Sequence, residues 1–273
     1  MNEVFKLLGT GWAVGFAVMF GLWLVQRRTR NAGIVDLGWA AITGGLAGLY
    51  ALLAGGDEAR RLVLGLLGAI WGGRLALYLW RDRIWGQPEE GRYVTLRRNW
   101  SPHADRAFFI FFQAQALAAL VLSVPFALGA VSTRPFPATS DLVGLVLVVM
   151  GVIGESVADR QLENFKRRAD SKGRTCREGL WRYSRHPNYF FEWMLWCGFG
   201  VLGLAGPWGW AGLVAPALIL YSIVFVTGIP PTEAQALLSR GDDYRDYQKT
   251  TSPFIPWPPR KQAARGGLSE KES

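Results

Sequence analysis

Cysteine, histidine and charge are all scarce in this chain. Two cysteines and two histidines occur in 273 residues. Cys176 lies in a basic loop and Cys197 midway through an apolar run, an arrangement that supports neither a disulfide nor a thiolate metal site. His103 and His186 stand far apart without carboxylates at ligand spacing, so no metal centre is expected. The sequence also lacks a Gly-x-Gly-x-x-Gly fingerprint, a Walker A loop and a Gly-x-Ser-x-Gly elbow, so any nucleotide must sit in a site of another kind. Charged residues make up 19%, against roughly 25% in a typical soluble domain, and they fall in blocks between long uncharged runs.

Those runs are the dominant feature. A helix needs about 20 apolar residues to cross a hydrocarbon core, and seven segments qualify: 5–26, 33–54, 61–80, 107–130, 141–158, 187–206 and 208–228. None alternates with a period of two, and an open sheet edge cannot face lipid, so an all-α polytopic membrane protein is predicted. The first run is read as a retained helix rather than a cleaved leader. Of the 30 lysines and arginines, 25 fall in segments 27–32, 81–106, 159–186 and from 229 onward. Seven crossings put all four segments on one side, which predicts an outside N-terminus and a cytosolic C-terminus. The same asymmetry accounts for the net charge of +9 without a nucleic-acid partner. A single seven-helix domain over 1–260 and a disordered tail over 261–273 complete the expected organisation. Nothing in the sequence specifies an oligomeric state.

Ionisable groups inside spans are expensive and become functional candidates. Asp36 lies one turn into the second run, where the plainer reading is an interfacial carboxylate neutralised by nearby arginines. Arg74, Tyr78 and Arg81 share one face of the third run, where Arg81 could equally snorkel and Tyr78 join an aromatic belt. Asp36 and Tyr78 are expected at one depth, and a carboxyl beside a phenol could polarise a carbonyl oxygen. Glu155, Asp159 and Glu163 recur at i, i+4, i+8 before Lys166-Arg167-Arg168. They are either a solvated helix extension or acids for ribose hydroxyls beside bases for phosphates. The densest stretch is Tyr183-Ser184-Arg185-His186-Pro187-Asn188-Tyr189, with Pro187 suited to the first turn of the sixth helix. Asn188 and Glu192 then stack on one face as an amide–carboxyl clamp for a carboxamide or adenine edge. Tyr244 and Tyr247 could cap a nucleotide by stacking, or belong to an amphipathic surface helix.

At these residues the chain resembles the steroid 5-alpha-reductase family, in its bacterial branch, from about 27 to 257. The Arg185-His186-Pro187-Asn188-Tyr189 segment is shared more widely, with membrane sterol reductases and isoprenylcysteine carboxyl methyltransferases. The resemblance implies an integral membrane enzyme of the bacterial inner membrane that binds NADPH from the cytosol. It would reduce the 4,5 double bond of a 3-oxo-4-ene steroid or related enone, an apolar substrate entering from lipid. Asp36 and Tyr78 match the family's acid and tyrosine that address the 3-oxo group, with Tyr78 to Arg81 keeping Tyr-x-x-Arg. Where the family often has Gln-Glu, this chain has Val35-Asp36. The cofactor positions carry over as Asp159, Lys166, Arg174, Tyr183, Asn188 and Glu192, with Glu233 and Tyr244; Arg81, Arg167, Arg185, His186 and Tyr189 are grouped with them. Two other readings compete. One is an S-adenosylmethionine-dependent methyltransferase acting on an isoprenylated cysteine or lipid; the other is a non-catalytic transporter or scaffold.

Overall fold

Long apolar helices dominate residues 2–260, the part of the chain that the computed structural model describes. The tail expected over 261–273 lies outside the described residues. Among those described there is no strand, only one isolated parallel bridge between Ser184 and Ser252. Six helical stretches are long and apolar enough to cross a membrane: Asn2–Thr29, Ile34–Leu53, Glu58–Ile84, Ala104–Ala130, Thr139–Lys166 and Gly209–Arg240. They coincide with six of the seven expected runs. The remaining run, 187–206, forms a helix of 17 residues, Pro187–Gly203, about 26 Å long at 1.5 Å per residue.

The chain groups into two compact units. The first comprises residues 2–148 and 196–217. It contains α1 (Asn2–Thr29), α2 (Ile34–Leu53) and α3 (Glu58–Leu79), which runs on through a π turn, Trp80–Ile84. A short polar helix, α4 (Gly91–Asn99), precedes α5 (Ala104–Leu122) and α6 (Val124–Ala130). Pro125 in the first turn of α6 explains why α5 and α6 are separate helices. The start of α7 (Thr139–Lys166), the end of α8 (Pro187–Gly203), the 3-10 turn Gly209–Leu213 and the residues on to 217 complete the unit.

Small residues make its central contact. Ala40, Gly44, Ala47 and Ala51 on α2 face Gly65, Gly68, Gly72 and Ala76 on α3, so the two backbones nearly touch. Lipid offers no hydrophobic drive for helices to associate, so close backbone packing of this kind supplies the attraction. A cluster of rings continues it: Trp71 packs against Trp39 at 6.1 Å and Trp196 at 5.0 Å, and Phe126 meets Phe199 at 4.7 Å.

Opposite in character is Arg60, which has 0% of its side chain exposed. Its guanidinium donates to both oxygens of Asp141, at 3.0 and 2.7 Å, to Ser132 at 3.1 Å and to the Arg134 carbonyl at 2.5 Å. Asp141 also accepts from the Ala138 amide at 2.8 Å. Fully buried charge is tolerated here because it is saturated with partners.

The second unit comprises residues 149–195 and 218–260. It holds the rest of α7, the start of α8, the end of α9 (Val214–Tyr221) with its π turn, α10 (Ile229–Arg240) and α11 (Asp242–Thr250). Gly151 and Gly154 on α7 press against Leu195 and Phe191 of α8. The strand-like segment after α11 docks on the chain before α8: the Arg185 amide donates to Ser252, Ser184 Oγ to the Phe254 carbonyl, and the Trp257 amide to Tyr183.

A Cβ built on Gly72 would lie 2.7 Å from the Ala40 carbonyl and from Gly44 Cα, whereas at Gly73 nothing comes within 4 Å. Gly72→Val should therefore destabilise the protein by roughly 1–3 kcal/mol, while Gly73→Val should not. Thermal unfolding in detergent reads the difference; equal effects would refute backbone contact between α2 and α3.

Candidate functional site

Two polar clusters stand out, one in each unit. In the second unit, Pro187 opens α8 with a fixed φ, and Arg185 and His186 lie just ahead of it. Both reach Glu233 on α10. Arg185 Nε donates to Glu233 Oε1 at 2.7 Å, and His186 Nε2 lies 3.2 Å from the same oxygen. Gln248 Nε2 donates to the other oxygen at 2.7 Å. Arg185 also donates to the carbonyls of Gln248 and Thr251, at 3.1 and 2.8 Å. One carboxylate thus fastens the α8 approach to α10 and α11.

His186 stacks on Tyr189 at 5.3 Å with the rings 5° from parallel, and the Tyr189 hydroxyl meets Thr232 at 3.1 Å. Asn188 donates to Asp159 at 3.3 Å, bringing together two of the expected cofactor residues. Glu192 follows one turn along α8, half-buried. Beneath this surface Tyr247 donates to the carbonyls of Trp181 and Ser184. Burial pushes the Tyr244 and Tyr247 phenols well above their ordinary range, and the Glu233 carboxylate raises Tyr244 further, so both are neutral donors.

These groups enclose a cavity of about 230 Å³ whose wall includes Lys166, Thr175, His186, Asn188, Arg240 and Tyr244. Both cations and aromatic rings line it. Thr175 Oγ1 is buried there without a hydrogen-bond partner among the described residues. Burial raises the pKa of the neighbouring Cys176 thiol.

The other expected bases are differently placed. Arg167 pairs with Glu163 at 2.7 Å, Arg174 with Asp170 at 3.0 Å, and Arg168 holds Glu178 through two bonds. All are exposed pairs, individually worth little. Tyr183 is 41% exposed beside the docked segment.

In the first unit the cluster centres on Asp36 in the first turn of α2. Its Oδ1 accepts from the Tyr93 hydroxyl at 2.8 Å; its Oδ2 accepts from Arg83 at 3.1 Å and from Arg92. Glu90 bridges Arg83 and Arg92, and Glu89 holds Arg97. The phenol bonded to Asp36 is therefore Tyr93 of α4, where the sequence had pointed to Tyr78. Tyr93 is 1% exposed, and burial followed by the Asp36 charge pushes its phenol far above the ordinary range. Tyr78, 58% exposed, lines an open groove of about 410 Å³ with Arg74, Leu77, Arg81 and Asp82, so Tyr78 and Arg81 do share a face. Arg92 and Tyr93 escaped sequence reasoning because α4 has no apolar periodicity, and Arg83 because it lies in the π turn beyond the end of the apolar run; only the length of the 81–106 connection hinted at a role.

Such a chain is a polytopic α-helical membrane protein carrying a cationic, aromatic cavity in one unit and a carboxylate–phenol–arginine cluster in the other. It belongs to the family described as a protein of unknown function, DUF1295, which matches residues 22–251. It is similar to 3-oxo-5-alpha-steroid 4-dehydrogenase 1 of Homo sapiens, 26% identical over 114 residues, 42% of this chain and 41% of that protein. It is also similar to the steroid 5-alpha-reductase DET2 of Gossypium hirsutum, 31% identical over 115 residues, 42% of each. The chain thus spans about two-fifths of the length of these reductases. An uncharacterized protein of Schizosaccharomyces pombe is 27% identical over 270 residues, 86% of this chain and 75% of that one. No solved structure matches.

Removing Glu233 would leave Arg185, 10% exposed, without its counter-charge. Glu233→Ala should cost about 3 kcal/mol, whereas Arg167→Ala, which breaks an exposed pair, should cost under about 0.5 kcal/mol. Denaturant unfolding of the solubilised protein distinguishes them, and similar losses would contradict the bracing role.

Proposed function

We propose that this protein is an NADPH-dependent membrane reductase that saturates the 4,5 double bond of a 3-oxo-4-ene steroid or a related enone lipid. The observation that carries this reading is the Arg185–His186–Glu233 brace and its cationic, aromatic cavity, in a chain similar to two steroid reductases. The proposal includes seven crossings with the N-terminus outside, α8 being the additional one, and one functional domain. It places the cofactor residues on the cytosolic side of a bacterial inner membrane.

The donor set fits part of a dinucleotide. Lys166 and Arg240 suit phosphate, the unpartnered Thr175 hydroxyl suits a sugar or phosphate oxygen, and Tyr244 offers a ring for stacking. At about 230 Å³ the cavity is below the 300–1,000 Å³ of whole small-ligand sites, so it takes one portion of NADPH. Arg167 and Arg174 can trade their exposed carboxylate partners for phosphate at little cost. Asp159, Asn188 and Glu192 are assigned to ribose or carboxamide, with Tyr183 and Tyr189 contributing to the same binding set. Arg185, His186 and Glu233 act mainly by holding that surface in shape.

Bound NADPH would supply a hydride for the β-carbon of the enone, and a proton from solvent at the α-carbon would complete the saturation. The chain's own task is at the carbonyl oxygen, where negative charge develops as the double bond is lost. Tyr78 is assigned as the hydrogen-bond donor to that oxygen. Asp36, already accepting from Tyr93 and two arginines, is assigned as the fixed acceptor that orients the surrounding donors. A flat apolar substrate would enter sideways from lipid.

Purified protein should quench or shift NADPH fluorescence and consume NADPH only when an apolar enone is present. Tyr78→Phe should keep cofactor affinity while turnover falls on the order of 100-fold, as for a lost oxyanion donor. Unchanged turnover would remove Tyr78 from the reaction. Binding of S-adenosylmethionine without NADPH would overturn the reductase reading in favour of methyl transfer.

A further inference from the structure

At the end of α1 the chain reads Leu24-Val25-Gln26-Arg27-Arg28-Thr29-Arg30, and a groove of about 580 Å³ opens there against Asp105 in the first turn of α5. Its walls change character along the helix. Leu24 and Val25, 43% and 40% exposed, form the part nearer the centre of the apolar run. Arg27, Arg28 and Arg30 form the end. The groove is pre-shaped: Trp23 Nε1 donates to the Asp105 carbonyl at 2.9 Å, and the Arg27 guanidinium lies 5.0 Å from the centre of the same indole.

The charges in the groove do not cancel. Asp105 is the one acid in its wall, and it approaches Arg27 and Arg30 no closer than 3.5 and 3.6 Å. Its buried Oδ1 accepts no hydrogen bond from the described residues. Beyond these two long ion pairs, the guanidiniums of Arg27, Arg28 and Arg30 donate no hydrogen bond to any described residue. By contrast, Arg83, Arg92 and Arg97 in the same unit each donate directly to carboxylates. Three guanidiniums against one carboxylate therefore leave the groove wall with an excess of positive charge. The positive-inside bias explains why basic residues occur at this end, but it needs neither a groove, nor an apolar wall, nor an arginine laid on an indole.

We propose that this groove binds the phosphodiester headgroup of an anionic phospholipid, held by Arg27, Arg28 and Arg30, with an acyl chain along Leu24 and Val25. A free phosphate would use only the cationic end. A phospholipid uses both, because its charge and its hydrocarbon meet at the depth where the groove changes from arginine to leucine. Arginine suits the role better than lysine, since its planar fork takes two phosphate oxygens at once. This assignment does not rest on the reductase reading.

Native mass spectrometry of the full chain, released from micelles of mixed phosphatidylglycerol and phosphatidylcholine, tests it. Phosphatidylglycerol should be retained selectively. The triple variant Arg27→Gln, Arg28→Gln, Arg30→Gln should bind it on the order of 100-fold more weakly, each cation near an anionic surface counting for roughly a fivefold factor. Lysine at all three positions should keep part of the affinity. Should the glutamine variant fail to insert or fold, Leu24→Asp carries the test by itself, because it sets a carboxylate into the acyl wall. Equal retention of the two lipids overturns the proposal, as does undiminished phosphatidylglycerol on Leu24→Asp or on the folded triple variant. Displacement of the lipid by an equal concentration of inorganic phosphate would show a free-anion site and would overturn it too.

Discussion

The carboxylate of Glu233 is the joint on which the second unit turns. It accepts from an arginine, a histidine and a glutamine that come from separate parts of the chain, and each donor has a further task. Arg185 carries the bond onward to the carbonyls that end α11. His186 carries it to Tyr189 by stacking, and so to the first turn of α8. A segment with little regular structure is held in one shape because its polar groups converge on one acceptor. That shape sets the cavity wall, which a hydrogen-bonded network therefore helps to hold.

The first unit solves a different problem with a different force. Its helices have nothing to gain by burying apolar surface from lipid, so α2 and α3 meet through glycine and alanine and gain dispersion contacts instead. Polar groups are then admitted only where they can be saturated. Arg60 and Asp141 achieve this with no exposure; Asp36 does it at the edge, with two arginines and a phenol. The two sites differ in consequence. A sealed pair such as Arg60–Asp141 can only hold structure, whereas Asp36, 21% exposed, retains a path to a ligand.

How much of this was legible follows from range. The crossing helices were plain because twenty consecutive residues carry the signal, and the polar intruders Asp36 and Glu192 stood out against that background. The helix starting at Pro187 was also readable from one residue's fixed φ. What stayed hidden were pairings across long separations. Asp36 meets Tyr93 57 residues on, Arg60 meets Asp141 81 on, and Arg185 meets Glu233 48 on. Local periodicity carries no information about such partners. Tyr78 sits in a helix whose depth can be counted from the sequence, while Tyr93 sits in a polar nine-residue helix whose position cannot.

The arginines show why charge alone is a poor guide to function in a protein of this kind. Positive-inside bias fills every loop on one side with cations, so a basic stretch carries little information until its partners are known. Structure sorts them into three conditions. Some are saturated by buried or half-buried acids and brace the fold, as Arg60 and Arg185 do. Others, such as Arg167 and Arg174, sit in exposed pairs that an incoming phosphate could break at small cost. A third group, at 27–30, lines a groove where three arginines share a single acid, paired with two of them only at 3.5 and 3.6 Å. Only the last two conditions leave a cation able to gain energy from a new anion. The capacity for ligand binding therefore follows the distribution of carboxylates, which the count of arginines conceals.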